Sequence, residues 1–275
     1  MDFLILYPSI SWALVSFFVL LVRWFIRPRD RKRTEWMLAV TVVTIPAATI
    51  AWHFADFLSR LTPNKYDQFI YRFDTFLGQP SFLLGGLVHH SRLMFELAWV
   101  SYNLMPAMMA VTLGIYLWLR PQHDTIALAK TLLLNLFLAV PLYLIFPVCG
   151  PAFAFPGYPF ERPDRLVPHP AAISAAPNGV PSVHTSTALL ILWFLGEWWW
   201  GRVVGWAFLS LTIFATLGLG QHYFFDLLCA VPYAIAVYLL INSQPAILPM
   251  RSRLAEDGGG VSLLSPDRSG MKRTD

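Results

Sequence analysis

Residues 177–233 read PNGVPSVHTSTALLILWFLGEWWWGRVVGWAFLSLTIFATLGLGQHYFFDLLCAVPY. Apolar runs fill most of this stretch, and two histidines and one aspartate stand at their ends. His184 opens one apolar helix. His222 and Asp226 open another, four residues apart, so their side chains share a helix face about one turn along. Ionisable groups at the ends of apolar helices are functional candidates by default. The plainer reading is a His–Asp pair that only ties helix ends together.

Working outward, composition sets the class. The 275 residues are 56% hydrophobic and only 13% charged, and mean hydropathy is +0.55. A soluble domain carries about a quarter charged residues, so the chain reads as an all-α, polytopic transmembrane bundle. Cys149 and Cys229 are too few for a disulfide framework. The net charge of +4 does not indicate nucleic acid, because the basic residues cluster beside apolar spans as orientation signals do.

The apolar runs predict spans over 4–26, 36–58, 93–119, 126–147, 182–199, 203–219 and 223–241. His53 and Asp56, near the far end of the second span, read as a polar cap or as part of a cavity wall, the cap being favoured. Between the second and third, Leu61 to His90 mixes Asp67, Arg72 and Asp74 with Phe69, Phe73 and Phe76. Helical spacing of the apolar members predicts an interfacial helix, broken at Gly78-Gln79-Pro80. His89 and His90 read as solvated interfacial residues. A proline-rich outer loop of about thirty residues, 148–180, separates the fourth and fifth spans, a length usual for functional loops. Residues 1–242 form the membrane-embedded domain, and 243–275 read as a disordered cytoplasmic tail.

Charge orients the spans. With Arg27 to Arg33 inside, the Arg120 turn, the Arg202 turn and the tail are inside too, and that side holds 14 of the 20 Lys and Arg. His184 and His222 then both face the outer side, the periplasmic face if the membrane is a bacterial inner membrane.

Two histidines and an aspartate at that depth fit phosphoryl transfer on a lipid headgroup. A neutral imidazole can attack phosphorus and carry it as phosphohistidine. A carboxylate on the other ring nitrogen fixes the tautomer, and Asp226 can do this for His222. A second histidine, His184, can protonate the departing alkoxide. Backbone amides at Ser182 and Val183, at a helix N-terminus, can hold phosphate oxygens. The scheme requires no metal or cofactor.

PSVH at Pro181 to His184 resembles the second signature of the type 2 phosphatidic acid phosphatase superfamily, usually PSxH. GQHYFFD at Gly220 to Asp226 resembles its third, a His followed four residues later by Asp. The resemblance implies His222 as nucleophile, Asp226 as its partner and His184 as acid. It also implies a membrane lipid substrate such as phosphatidic acid or phosphatidylinositol. The first signature, Lys then six residues then Arg-Pro, is incomplete: Arg162-Pro163 supplies its second half and Phe155 stands where Lys is usual. Thr216 stands where the third signature usually has Arg. Two phosphate-binding cations are thus missing, which favours a singly charged phosphodiester over a dianionic monoester. GPAFAFP at 150–156 and FLGQPSF at 76–82 resemble the branch containing inositol phosphorylceramide synthases. Arg162 is the candidate substrate-binding cation, with Arg72, Arg92 and Arg165 as others. Two other classes stand beside this reading: a metal- or haem-binding protein using His184, His222 and Asp226 as ligands, and a transporter without chemistry.

Overall fold

The computed structural model describes residues 57–58, 60–163 and 170–242, with 17–18, 20–26, 31–32, 34–35 and 38 nearer the N-terminus. Most of the expected first span and of the second with His53 and Asp56, Arg165 and the 243–275 tail lie outside the described residues. In chain order the elements are β1 (Asn64–Lys65), α1 (Asp67–Phe76), α2 (Pro80–His90), α3 (Arg92–Asn103), α4 (Met105–Leu119), α5 (Gln122–Ile145), α6 (Pro151–Ala154), β2 (Ala171–Ala172), α7 (Val183–Leu195), α8 (Trp199–Gly218) and α9 (Phe224–Asn242). The protein is all-α apart from the two-residue ladder, which pairs Asn64 with Ala172 and Lys65 with Ala171, antiparallel.

Among the described residues three helices, α5, α8 and α9, are long and apolar enough to cross a membrane. A fourth crossing results if α3 and α4 count as one broken span. That pair replaces the continuous helix expected over 93–119: it bends by 46° at Leu104. Pro106 is the cause, because at the start of α4 it cannot donate an amide to the preceding turn.

Helix α7 is the centre of the bundle. It packs against α8, α9, α5 and α4, and nine of its 13 residues are buried. At about 1.5 Å per residue it is roughly 20 Å long, short of the 30 Å hydrocarbon core. The expected span over 182–199 is therefore too long: the chain turns at Gly196-Glu197-Trp198 and starts α8. A helix walled by other helices does not have to match the bilayer, and apolarity all round marks it as core. One apolar cluster joins Leu190 and Phe194 of α7 to Leu128, Leu132 and Ala139 of α5 and Ala234 and Val237 of α9. Polar ties register the helices: Asn135 donates to Thr187 Oγ1 at 2.9 Å, and the Tyr116 hydroxyl donates to the Phe194 carbonyl at 2.8 Å.

Helix α1 reverses the usual orientation of an amphipathic surface helix. Asp67 and Asp74 are 0% and 1% exposed, whereas Phe69 and Phe76 are 65% and 89% exposed. The carboxylates point at the protein and the rings point away, as suits a helix lying at a membrane interface. The break at Gly78-Gln79 is present; Gly78 and Gln79 both have positive φ, 80° and 57°. It folds α2 back against α8 and α3. His89 is half-buried against Phe95 and Tyr158 and bonds the Gly85 carbonyl, so only His90 is the exposed histidine expected there.

Candidate active site

The PSVH stretch becomes the first turn of α7. Ser182 is its N-cap: its Oγ accepts from Thr185 N at 3.3 Å. That hydroxyl is buried and already occupied. Tyr143 of α5 braces the entry, donating to the Pro181 carbonyl at 3.1 Å and meeting the Val183 backbone amide. His184 follows on the open side of the turn, half-buried, with Tyr102 of α3 stacked on its ring at 4.2 Å between centroids.

His222 lies in the turn between α8 and α9. Its amide donates to Thr216 O at 3.2 Å. Its Nδ1 faces Asp226 Oδ2 at 3.3 Å, and the same oxygen accepts from Tyr223 N at 2.9 Å. The Gly179 backbone also lies within hydrogen-bonding reach of this imidazole. Both members of the pair are buried. Asp226 Oδ1 has no hydrogen-bond partner among the described residues, a costly state for a buried carboxylate oxygen and one usually found where function requires it.

The two motifs meet directly. Ser182 N donates to the Asp226 carbonyl at 3.2 Å, and the His184 and His222 rings are 6.1 Å apart between centroids, tilted by 60°. The structure thus brings His184, His222 and Asp226 to one place.

A second layer, which the sequence did not single out, comes from α1 and the 148–150 loop. Asp67 accepts from Gly150 N at 2.8 Å, Cys149 N at 3.1 Å and the Tyr223 hydroxyl at 3.0 Å. Burial pushes its carboxyl up to about 6, against the lowering effect of those donors. Burial also raises the Asp74 carboxyl and the Cys149 thiol, and lowers the Lys65 ammonium. Gly150, at φ 107°, lies so close to the site turn that a Cβ there would meet the Gln221 carbonyl oxygen at 2.3 Å. The signal that could have found this layer is spacing. Asp67 and Asp74 are seven residues apart, two turns along one helix face, and Phe69, Phe73 and Phe76 share another.

The sequence matches the family model of the PAP2 superfamily over residues 68–240. The chain belongs to the PAP2 superfamily. PAP2 members are phosphatases or phosphotransferases, and this protein is a membrane enzyme of that broad kind. No curated protein and no solved structure matches the chain at a significant level.

Uncharged side chains stand at the two positions where the resembled signatures usually carry cations. Phe155 is buried against Tyr71 and Phe82. Thr216 is buried, donates to the Thr212 carbonyl and lends its own carbonyl to His222 N. Arg72, Arg92 and Arg162 are exposed, Arg92 beside Glu96 at 4.0 Å. Among the described residues no group of three or more His, Cys, Asp or Glu could hold a metal ion. The reason is local, since His222 Nδ1 and Asp226 Oδ2 are turned toward each other.

Proposed function

We propose that this PAP2 enzyme acts on a membrane lipid phosphate through a phosphohistidine on His222. The observation that carries the reading is the buried His222–Asp226 pair facing His184 across 6.1 Å between ring centroids, room for one phosphoryl group to touch both rings. With Asp226 holding the proton on Nδ1, the lone pair of Nε2 is free to attack phosphorus. As the N–P bond forms, the P–O bond to the lipid alcohol breaks, and His184 gives that oxygen a proton. In the second half, water or a hydroxyl acceptor loses its proton to His184 and attacks phosphorus. The N–P bond then breaks and His222 is restored. Phosphate oxygens sit at the α7 N-terminus, near the His184 amide, where the helix dipole favours an anion. The Ser182 and Val183 amides, expected to hold phosphate oxygens, are engaged by the Asp226 carbonyl and the Tyr143 hydroxyl and so contribute by shaping that turn, and Arg162 contributes at the headgroup's solvent side.

The substrate we favour is a phosphodiester headgroup passed to a hydroxyl acceptor, in the manner of inositol phosphorylceramide synthases. Buried, uncharged Phe155 and Thr216 at the two positions where the family pattern has cations support this, because a monoanion needs less compensating charge than a dianion. The site opens on the extracytoplasmic face, a reading that the charge distribution of the loops supports.

The test is incubation of the purified protein with phosphatidic acid, and separately with phosphatidylinositol plus ceramide, with mass spectrometry of the products. Inositol phosphorylceramide from the second mixture supports the transferase reading. Free phosphate from phosphatidic acid alone restores simple hydrolysis. Turnover of either by His222→Ala removes the nucleophile assignment.

A further inference from the structure

His222 is held through its main chain as well as its ring, and two side chains from α1 and the start of α2, Asp74 and Ser81, stand behind it and the residues that follow it. The Asp74 carboxylate, buried, reaches across 150 residues of sequence to the start of α9. Its Oδ2 accepts from Phe224 N at 3.0 Å and its Oδ1 from Phe225 N at 3.1 Å. The Ser81 hydroxyl, also buried, lies 3.1 Å from the His222 carbonyl oxygen and 3.3 Å from Asp74 Oδ2, and donates to one of them at a time. Gln79 N bonds the Asp74 carbonyl at 2.9 Å, which folds Ser81 back over Asp74. The Tyr158 hydroxyl fastens the Ser81 carbonyl to the end of α8.

We propose that Asp74 and Ser81 are positioning residues for His222. The physical reason is competition for donors. The start of α9 offers three neighbouring amides. Tyr223 N goes to Asp226, and Phe224 N and Phe225 N go to Asp74. A carboxylate at a helix start is drawn to open amides. With Asp74 satisfying two of them, Asp226 keeps its Oδ2 on Tyr223 N and His222 Nδ1. Removing Asp74 opens those amides to Asp226, which then leaves Nδ1. Removing the Ser81 hydroxyl frees the His222 carbonyl and lets the ring swing. The FLGQPSF stretch thereby acquires a function: it carries Ser81 to the back of the reacting histidine. The proposal rests on the reading of His222 as the group that takes up phosphorus.

The experiment uses the full chain in detergent micelles, as wild type, Ser81→Ala and Asp74→Asn. One readout is turnover of dioctanoyl phosphatidic acid, and of phosphatidylinositol with short-chain ceramide. The other needs no turnover: ¹⁵N spectra of histidine-labelled protein, with the His222 signals assigned from His222→Gln. We expect a single Nδ1–H tautomer in the wild type and a mixture in both variants. We expect kcat to fall about 10- to 100-fold with KM little changed, the scale of a slightly misplaced reacting group. Ser81→Ala keeps the test alive should Asp74→Asn fail to fold. Wild-type tautomer and wild-type kcat in Ser81→Ala overturn the proposal, and so does a fall in kcat with unchanged imidazole signals, which puts the effect elsewhere. If the wild type turns over neither lipid while the tautomer responds as described, the phosphotransfer reading falls and the positioning stands.

Discussion

Two helices begin at the site, and they begin differently. Helix α7 is capped from within its own sequence, by Ser182 on Thr185 N, three residues away. Helix α9 has its first amides covered by Asp226 from its own first turn and by Asp74 from a helix 150 residues earlier. A local cap leaves the rest of the turn open, and His184 sits there half-buried beside Tyr102. A distant cap seals the turn: His222 is buried, bonded through its amide and its carbonyl, and carboxylates stand on two sides of it. The difference suits the two roles proposed for the histidines. A group that gives a proton to a leaving lipid has to meet it at an open edge. A group that must attack along one line is better held rigid in a dry place.

Four substitutions break or sharpen this contrast. The largest effect is expected for His184→Ala, which removes the proton donor at the open helix start. kcat should fall about 10²–10⁴-fold, or roughly 3–5 kcal/mol. A leaving group that needs no proton, such as p-nitrophenol on a phosphate ester, should recover much of the loss, and steady-state rates with both esters check it.

Next is Asp67→Asn, which acts on the sealed side. Burial raises the Asp67 carboxyl from 3.8 to about 6. Between those values the folded chain holds a proton that the unfolded chain has lost, so stability is fully present below pH 3.8 and falls as pH rises to about 6. The shift corresponds to on the order of 3 kcal/mol. The difference between wild-type and Asp67→Asn unfolding temperatures, measured in detergent from pH 3.5 to 7.5, should show this slope and then level off. A flat difference places the charge in solvent.

Gly150→Ala also strikes the sealed side. A Cβ there has no room beside the Gln221 carbonyl, and φ of 107° is strained for alanine. A loss of about 1–3 kcal/mol is expected, with kcat falling because the turn that moves carries His222. Circular-dichroism melts alongside rates separate the two effects. Smallest is Ser182→Ala, which loses a local cap worth about 1 kcal/mol. It should lower the unfolding temperature by a few degrees and leave the His222 tautomer untouched, unlike Ser81→Ala.

The contrast also marks where reading from the sequence succeeds. The apolar runs expected at 126–147, 203–219 and 223–241 are long, and the helices over 122–145, 199–218 and 224–242 begin and end within a few residues of them. The four-residue spacing of His222 and Asp226 made the ring–carboxylate contact legible, although His222 does not open the helix as expected but lies in the turn before α9. Runs near a proline or in the bundle centre were read less well. Pro106 broke a span that hydropathy drew as one, and α7 is shorter than its apolar run because its neighbours, not lipid, surround it. Asp67 and Asp74 looked like the polar face of an interfacial helix, but the direction of that face depends on what lies behind it.

The order of residues by itself determined that this is a helical membrane protein with two histidine motifs, because hydropathy and helical spacing are local properties that each segment carries alone. Only the folded chain decided that Tyr102 lies on one histidine and that Asp74 and Ser81 stand behind the other. Those contacts join segments separated by about eighty to 150 residues, and nothing in a one-dimensional pattern tells a buried amide which distant carboxylate will reach it.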